Sequence, residues 1–289
     1  WNSKYARNYS DFIDIYVERY KIIKRQREIA RKEEIPSFEK YCLRPNTMQV
    51  GFIRNLQKIL DLGEDRALLI SATGTGKTYA SAFAMRELGF KRVLFLVHRS
   101  QLARQTKKAY ENVFGKQVTM GLLGAGYHDY DADYVFATVQ TLSKEEHLKY
   151  YSPETFDCII LDEAHHSSAS IYQKIMNFFV PRLWLGMTAT PDKRDDDIDG
   201  RNIYEIFHYQ IAYEIRLQQA MEEDLLCPFH YFGLHDLSVI GDKSKKLLAK
   251  DFNALVCDER VKHVIEQAEY YGYSGDRVKG LIFCSRIEE

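Results

Sequence analysis

The stretch Ser71-Ala72-Thr73-Gly74-Thr75-Gly76-Lys77-Thr78 follows directly on the apolar run Ala67–Ile70. A buried strand does not need that ending, and a helix does not need that start. Phosphate-binding loops are commonly written G-x-x-x-x-G-K-[ST], and here Ser71 stands at the first glycine position. Gly74 and Gly76 let the backbone turn and approach an anion with no Cβ in the way. The successive amides of Thr73, Gly74, Thr75 and Gly76 would then point inward at a helix N-terminus, which favours negative charge. Lys77 supplies a mobile positive charge for outer phosphates, and Thr78 a hydroxyl for Mg²⁺. The bland alternative is a tight glycine turn with a chance lysine. A strand before and an amphipathic helix after argue against it, so the residues imply a bound nucleoside triphosphate.

A second cluster is "IILDEAHHSS", residues 159–168. Asp162 closes an apolar strand, so its carboxylate emerges at the carboxyl edge of a sheet, where Lys77 should also lie. Asp162 would hold Mg²⁺, and Glu163 beside it would orient and deprotonate an attacking water. Adjacent carboxylates are common on surfaces; at a buried strand end after a phosphate loop they carry more information. A third cluster is "LGMTATP", residues 185–191. Thr188 and Thr190 there could hydrogen-bond the acidic motif, particularly His165, and link nucleotide state to an inter-domain hinge. The plain alternative is threonine as a strand former beside a proline turn.

These clusters need strands to present them. Apolar runs occur at 66–71, 92–97, 133–138, 157–162 and 182–188, with helix-like stretches such as "GKTYASAFAMREL" and "SQLARQTKKAYENVF" between most of them. Strands apolar throughout and separated by helices predict a parallel sheet covered on both faces, an α/β doubly wound domain over roughly residues 43–215. Residues 213–229 read as a linking helix stopped before Pro228. An acidic loop fills 192–200. Residues 230–289, with a helix near 250–271 and the run "VKGLIFCS", read as the start of a second α/β unit. At the other end, residues 9–32 have helical apolar spacing, and the segment 1–42 reads as a helical connector. Its basic run 19–32 is either a solvated helix face or an arm that touches phosphates.

The bulk numbers exclude several classes. The 289 residues are 45% hydrophobic and 28% charged with a net charge of −1, so any nucleic-acid binding must be local. No apolar run approaches the ~18–20 residues of a membrane span. The five cysteines are scattered, with no C-x-x-C pair, which fits a reducing cytosol. The chain opens at Trp1 and stops at "GLIFCSRIEE", so the expectation is a piece of something longer.

"SATGTGKT", "DEAH" and "TATP", in this order and spacing, resemble superfamily 2 helicases and translocases, nearest to the ATPase segment of type I and type III restriction subunits. That resemblance implies a RecA-like fold, ATP with Mg²⁺ in a cleft between two such domains, and a nucleic-acid partner, DNA favoured over RNA. By it, "LRPNTMQ" is similar to an adenine-reading motif, with Gln49 on the adenine edge and Arg44 stacking on the ring. "LVHRSQLARQ", through His98, Arg99 and Gln101, resembles a segment that touches a nucleic-acid backbone, as does "ATVQTL" through Thr138, Gln140 and Thr141. "LIFCSR" resembles the first strand of a second RecA-like domain. The wider match resembles bacterial multidomain helicases with a phospholipase-D-like nuclease domain ahead of the ATPase and a further domain behind it. Those domains would be partners within the same polypeptide. The resemblance also implies an arginine finger from a motif beyond residue 289, hence weak hydrolysis by residues 1–289 alone. The competing readings are an ATP-gated nucleic-acid clamp, an RNA helicase without strong motor activity, and an unrelated phosphate-loop ATPase.

Overall fold

Five apolar runs become strands where the sequence places them, and they join one eight-stranded sheet. The computed structural model describes residues 44–191, 202–227, 229, 258–271, 281 and 283. The strands are β1 (Arg66–Ser71), β2 (Val93–Val97), β3 (Met120–Gly124), β4 (Tyr127–His128), β5 (Tyr134–Thr138), β6 (Cys158–Asp162), β7 (Leu183–Thr188) and β8 (Ile211–Ile215). Their order is β4-β3-β5-β2-β6-β7-β1-β8. Every pairing is parallel except β3 with β4, which is antiparallel. The expected all-parallel sheet is thus corrected at one edge, where the tight turn Ala125–Gly126 lets the chain reverse without a crossover helix.

Alternation along the central strands explains why both faces are covered. Leu69, Phe95, Phe136, Ile160 and Leu185 face one core, together with Phe52, Phe83 and Tyr110 of α1 (Thr47–Asp61), α2 (Lys77–Glu87) and α3 (Ser100–Phe114). Leu68, Leu94, Val135, Ile159 and Trp184, one residue earlier on each strand, face the other. There they meet Leu142 of α4 (Val139–Leu142), Leu148 of α5 (Glu145–Leu148), Tyr172 and Ile175 of α6 (Ser170–Phe178), and Ile203 of α7 (Ile203–Ile206). A one-residue slip in any of these strands would exchange the two faces, so burial itself fixes register.

Two further expectations are corrected. Residues 213–229 are not one helix: Tyr213–Ile215 belong to β8, paired with β1 through Leu69↔Tyr213, and the helix that follows is only α8 (Leu217–Glu222). Burial of Ala212 and Ile215 against β1 and α1 outweighs the helical pattern of the polar residues. Second, α2 is not amphipathic. Its residues Ala80 through Met85 are all buried, because α1 and α3 flank it while the sheet lies beneath.

The chain divides into two units, Trp1–Pro228 and Phe229–Glu289. In the second, α9 (Asp258–Tyr271) carries Val261, Val264, Ile265 and Ala268 at helical spacing. The expected helix at 9–32, the basic run at 19–32, the loop at 192–200 and all of 230–257 lie outside the described residues. Among the described residues, no helix is long and apolar enough to cross a membrane.

Candidate functional site

Parallel strands bring their carboxyl ends to one edge, and three of those ends carry the clusters singled out above. Ser71 ends β1, Asp162 ends β6 and Thr188 ends β7. Register places Ile70 opposite Thr188 and Asp162 opposite Met187, so the three ends lie side by side across adjacent strands.

The loop between β1 and α2 has the geometry of an anion cradle. Gly74 and Gly76 have φ of 91° and 90°, conformations that other residues reach only with strain. Ser71 needs no such freedom: it is the last residue of a regular strand, and its buried hydroxyl pairs with Thr75 Oγ1 at 2.5 Å. Thr75 donates in turn to the Ala72 carbonyl at 2.7 Å, closing the loop from inside. Thr73 and Gly74 form the exposed tip. The Lys77 ammonium donates to the Ser71 carbonyl at 2.9 Å. Behind the loop, Tyr110 donates to Ser81 Oγ, which donates to the Thr78 carbonyl, so the first turn of α2 is held from the core side.

Gln49 closes the other side. It is buried; its Oε1 accepts from the Asn46 amide at 3.0 Å and its Nε2 donates to the Gly76 carbonyl at 3.3 Å. The Asn46 side chain accepts from the Gln49 amide at 2.9 Å, so the two residues form a reciprocal capping box on α1. Arg44, just before the box, is exposed. The pair Asn46…Gln49 is itself a helix-start signal that motif reading alone passes over.

At the end of β6 the backbone turns sharply. Glu163 has a left-handed φ of 53°, and its amide donates to Asp162 Oδ1 at 3.1 Å. Desolvation lowers the Lys77 pKa, while the charges of Glu163 and Asp162 oppose that shift. Desolvation likewise raises the Asp162 pKa; Glu163 adds to the rise, and the Glu163 amide and Lys77 counter it. An ammonium and two carboxylates within electrostatic reach of one another, with Lys77 and Asp162 partly stripped of water, form a site that favours a ligand bringing both metal charge and phosphate charge.

His165 continues the arrangement. Its Nδ1 lies 3.0 Å from Thr188 Oγ1 and 3.4 Å from Glu163 Oε2. The Thr190 amide also donates to Thr188 Oγ1, at 3.1 Å, so the fully buried Thr188 joins the segment after β7 to the acidic motif. Two residues outside the sequence-predicted set extend this contact. The His166 ring packs 4.1 Å from His165 and 4.6 Å from His98, centroid to centroid. His98 Nε2 meets the Tyr172 hydroxyl at 2.8 Å. Burial raises the Tyr172 pKa, so its hydroxyl keeps its proton beside the His98 ring. Burial, and then His166, lower the His98 pKa, which matches a neutral ring. The doubled histidine at 165–166 is the only sequence sign of this ladder.

The residues expected to touch nucleic acid fall into two groups. His98 is half-buried in the ring ladder. Arg99, Gln101 and Gln140 are exposed. Thr138 caps α4, accepting from the Thr141 amide at 3.2 Å, and the two hydroxyls lie 2.8 Å apart.

A glycine-turned phosphate loop, a lysine and an acid pair at adjacent strand ends define a phosphate-loop α/β domain of the RecA-like kind. The chain belongs to the family described as type III restriction enzyme, res subunit, which residues 42–193 match. It is 28% identical over 275 residues to the type I restriction enzyme EcoAI endonuclease subunit of Escherichia coli, covering 84% of this chain and 33% of that subunit. It is 26% identical over 227 residues to the putative ATP-dependent helicase IRC3 of Saccharomyces cerevisiae, covering 70% of this chain and 31% of that protein. The chain therefore spans about a third of the length of these relatives. Among solved structures it is similar to the ATP-dependent type ISP restriction-modification enzyme LlaBIII bound to DNA, with 25% identity and a TM-score of 0.51 over 64% of this chain and 16% of that one. A nuclease-deletion mutant of the type ISP enzyme LlaGI, in complex with a DNA substrate mimic, has the same fold, at 23% identity and a TM-score of 0.50 over 78% of this chain and 24% of that one. The first unit is thus a motor-type domain of the restriction-enzyme and helicase kind.

Proposed function

We propose that this chain is the ATP-hydrolysing core of a nucleic-acid translocase, with DNA as the track. The observation that supports it most is the placing of Lys77 and Asp162, both partly desolvated and within electrostatic reach of Glu163, beside a glycine-turned loop at adjacent strand ends. In this reading residues 43–215 form the ATP-binding domain, 216–229 are a linker and 230–289 begin a second RecA-like domain, within a larger nuclease-linked polypeptide. The DNA preference rests on the restriction-type relatives and the DNA-bound LlaBIII.

The donor set suits Mg²⁺: Thr78 and Asp162 offer hard oxygens at the loop, and a side chain on Gly76 would put its Cβ 3.1 Å from Gln49 Nε2, narrowing the cradle. Bound there, the ion would neutralise charge on the phosphate oxygens. Lys77 places its charge on the outer phosphates, exchanging the Ser71 carbonyl for them. The amides from Thr73 to Gly76 bind the inner ones. Glu163 orients the attacking water and takes its proton. His165 holds Glu163 and reports its state through Thr188 to the segment that leads to the second domain. Gln49 and Arg44 read adenine, which requires the Gln49 amide to give up its bond to the Gly76 carbonyl.

The test is steady-state ATP turnover with single-stranded DNA, duplex DNA and RNA compared. Lys77→Ala is expected to lower turnover by about 10²–10³-fold, the cost of one well-placed electrostatic contact, with the circular dichroism spectrum unchanged. Glu163→Gln is expected to keep nucleotide binding and lose turnover. Full turnover in Glu163→Gln removes the assignment of the base. Turnover that RNA stimulates as well as DNA removes the DNA preference. Nucleotide-dependent DNA binding with no strand or triplex displacement makes the protein a clamp in place of a motor.

A further inference from the structure

A cavity of about 570 Å³ opens beside the β3–β4 turn, away from the phosphate loop. Its walls carry an unusual set of rings. Tyr150 stacks on Tyr130 with centroids 4.0 Å apart and planes 15° apart. His128 lies 6.1 Å from Tyr130 at 23°, and His147 lies 5.9 Å from it at 32°. The four rings are thus turned nearly the same way, unlike the edge-on pairs around Tyr110 in the core. They are also fixed: the Tyr130 hydroxyl and His147 Nδ1 are 2.6 Å apart, and His147 is 7% exposed. Tyr150 is the opposite case, 67% exposed although it is the outermost ring of the stack. A large aromatic face left to water over a prepared aromatic floor is costly to fold for packing alone.

The rim of the cavity is polar. Thr141 and Lys144 line it, and Glu146, whose carboxylate lies 3.9 Å from the Lys144 ammonium, offsets that charge. Thr141 also belongs to the Thr138–Thr141 turn, which the sequence reading assigned to nucleic-acid contact. On the far side of the β3–β4 turn, Tyr127 carries the Arg104 guanidinium 5.5 Å above its ring, so the turn is joined to α3, which begins just after Arg99. The cavity therefore borders one of the two segments expected to run along a nucleic-acid backbone, through Thr141. Parallel ring faces select a flat aromatic guest, and mixed donors and acceptors at the rim suit the edge of a heterocycle. Near-zero local charge argues against a phosphate inside.

We propose that this cavity is a stacking site for one unpaired nucleobase of the bound strand, with Tyr150 as the outer face. The inference rests on the nucleic-acid reading above and adds a base-contacting site to it. Such a site gives the motor a grip on single-stranded or locally opened nucleic acid that is insensitive to sequence, since every base has a π face. Stacking also supplies affinity that does not fall with salt, which a chain of net charge −1 cannot obtain from lysines.

The experiment uses the 289-residue chain and fluorescence anisotropy with short single-stranded DNA and RNA, each as an intact oligonucleotide and as one carrying a run of abasic residues. The expected result is that intact strands bind roughly tenfold tighter than abasic ones, as one stacked base provides. Tyr150→Ala should bring that ratio close to one, and Tyr150→Phe should restore it. Tyr150 is a surface residue, and a thermal melt of each variant checks the fold. Binding of intact and abasic strands with equal affinity in the wild type overturns the stacking site and leaves the motor reading standing. Displacement of the strand by an equal concentration of free thymidine overturns the assignment to a strand and makes the cavity a nucleoside pocket. No binding to any oligonucleotide overturns the nucleic-acid reading and the stacking site with it.

Discussion

The two halves of the sheet edge use the same residue types in opposite ways. On the β1–β7–β6 side, threonine, histidine and glycine serve one another around the acid pair: Thr188 holds His165, Gly76 faces Gln49, and Lys77 feels two carboxylates. On the β2–β5–β3 side, Thr138 and Thr141 spend their hydroxyls on a helix cap, while Arg99, Gln101 and Gln140 stand in water. The first half is assembled before any ligand arrives, as chemistry on phosphate requires. The second offers a surface whose polar groups are solvated, as the proposed binding of a long polymer would need. In the proposed reading, catalytic geometry resides in desolvated contacts and track binding in exposed ones.

A pair of glycines breaks this comparison most sharply. Gly76, at φ 90°, meets only the far end of Gln49, with its Nε2 3.1 Å from a new Cβ. Gly124, at φ 102°, faces Thr141, whose Oγ1 would be 2.6 Å from a new Cβ and is itself bonded to Thr138. Gln49 can swing away; β-branched Thr141 cannot. Gly124→Ala should cost about 2–4 kcal/mol of folding stability, combining backbone strain with overpacking, and should lower nucleic-acid affinity while nucleotide affinity persists. Gly76→Ala should cost about 1–2 kcal/mol and should chiefly lower nucleotide affinity. Urea melts and fluorescent-nucleotide titrations of both variants check this. A Gly124→Ala protein as stable as the wild type would show that the turn is not fixed by Thr141.

The histidine ladder is where the halves meet. His166 sits between His165 on the acid side and His98 at the end of β2. His166→Leu keeps bulk but removes the aromatic contact on both sides. Nucleic-acid stimulation of ATP turnover should fall roughly fivefold, within the ~0.5–2 kcal/mol range of a coupling residue, and more than unstimulated turnover does. Equal losses in the two rates would make His166 a packing residue.

The same contrast explains what could be read from the sequence. The strands β1, β2, β5, β6 and β7 follow from apolar runs buried on both faces, and "RALLIS" matches β1 residue for residue. The glycine turn after β1 and the acid pair at the end of β6 are placed as their spacing along the chain implies. The antiparallel β4, the short β3 with its alternating burial, and β8 do not follow, because only their neighbours across the sheet make them strands. The ring cluster around Tyr130 is invisible for the same reason. Its members come from two separate stretches, 128–130 and 147–150, and nothing in the spacing of Tyr130, His147 and Tyr150 announces that they stack.

The smallest effect is expected at Ser167, one residue beyond His166 and the C-cap of the short 3₁₀ turn Ala164–His166. Its hydroxyl is buried and has no hydrogen-bond partner among the described residues, unlike that of Thr188, which serves two. An unpaired buried hydroxyl costs folding free energy that removal of the oxygen recovers. The Ser167 carbonyl, which accepts from Gln173 Nε2 at 2.9 Å, is untouched by a side-chain change. Ser167→Ala should therefore leave stability unchanged or raise it by up to about 1 kcal/mol, with ATP turnover unaltered. Thr188→Val, an equally small change in volume, should be destabilising, because it orphans the Thr190 amide and the His165 bond together. A Ser167→Ala protein that melts as early as Thr188→Val would mean that the hydroxyl makes a contact in solution, and that the acid side of the edge is bonded more extensively than the contrast between the two hydroxyls implies.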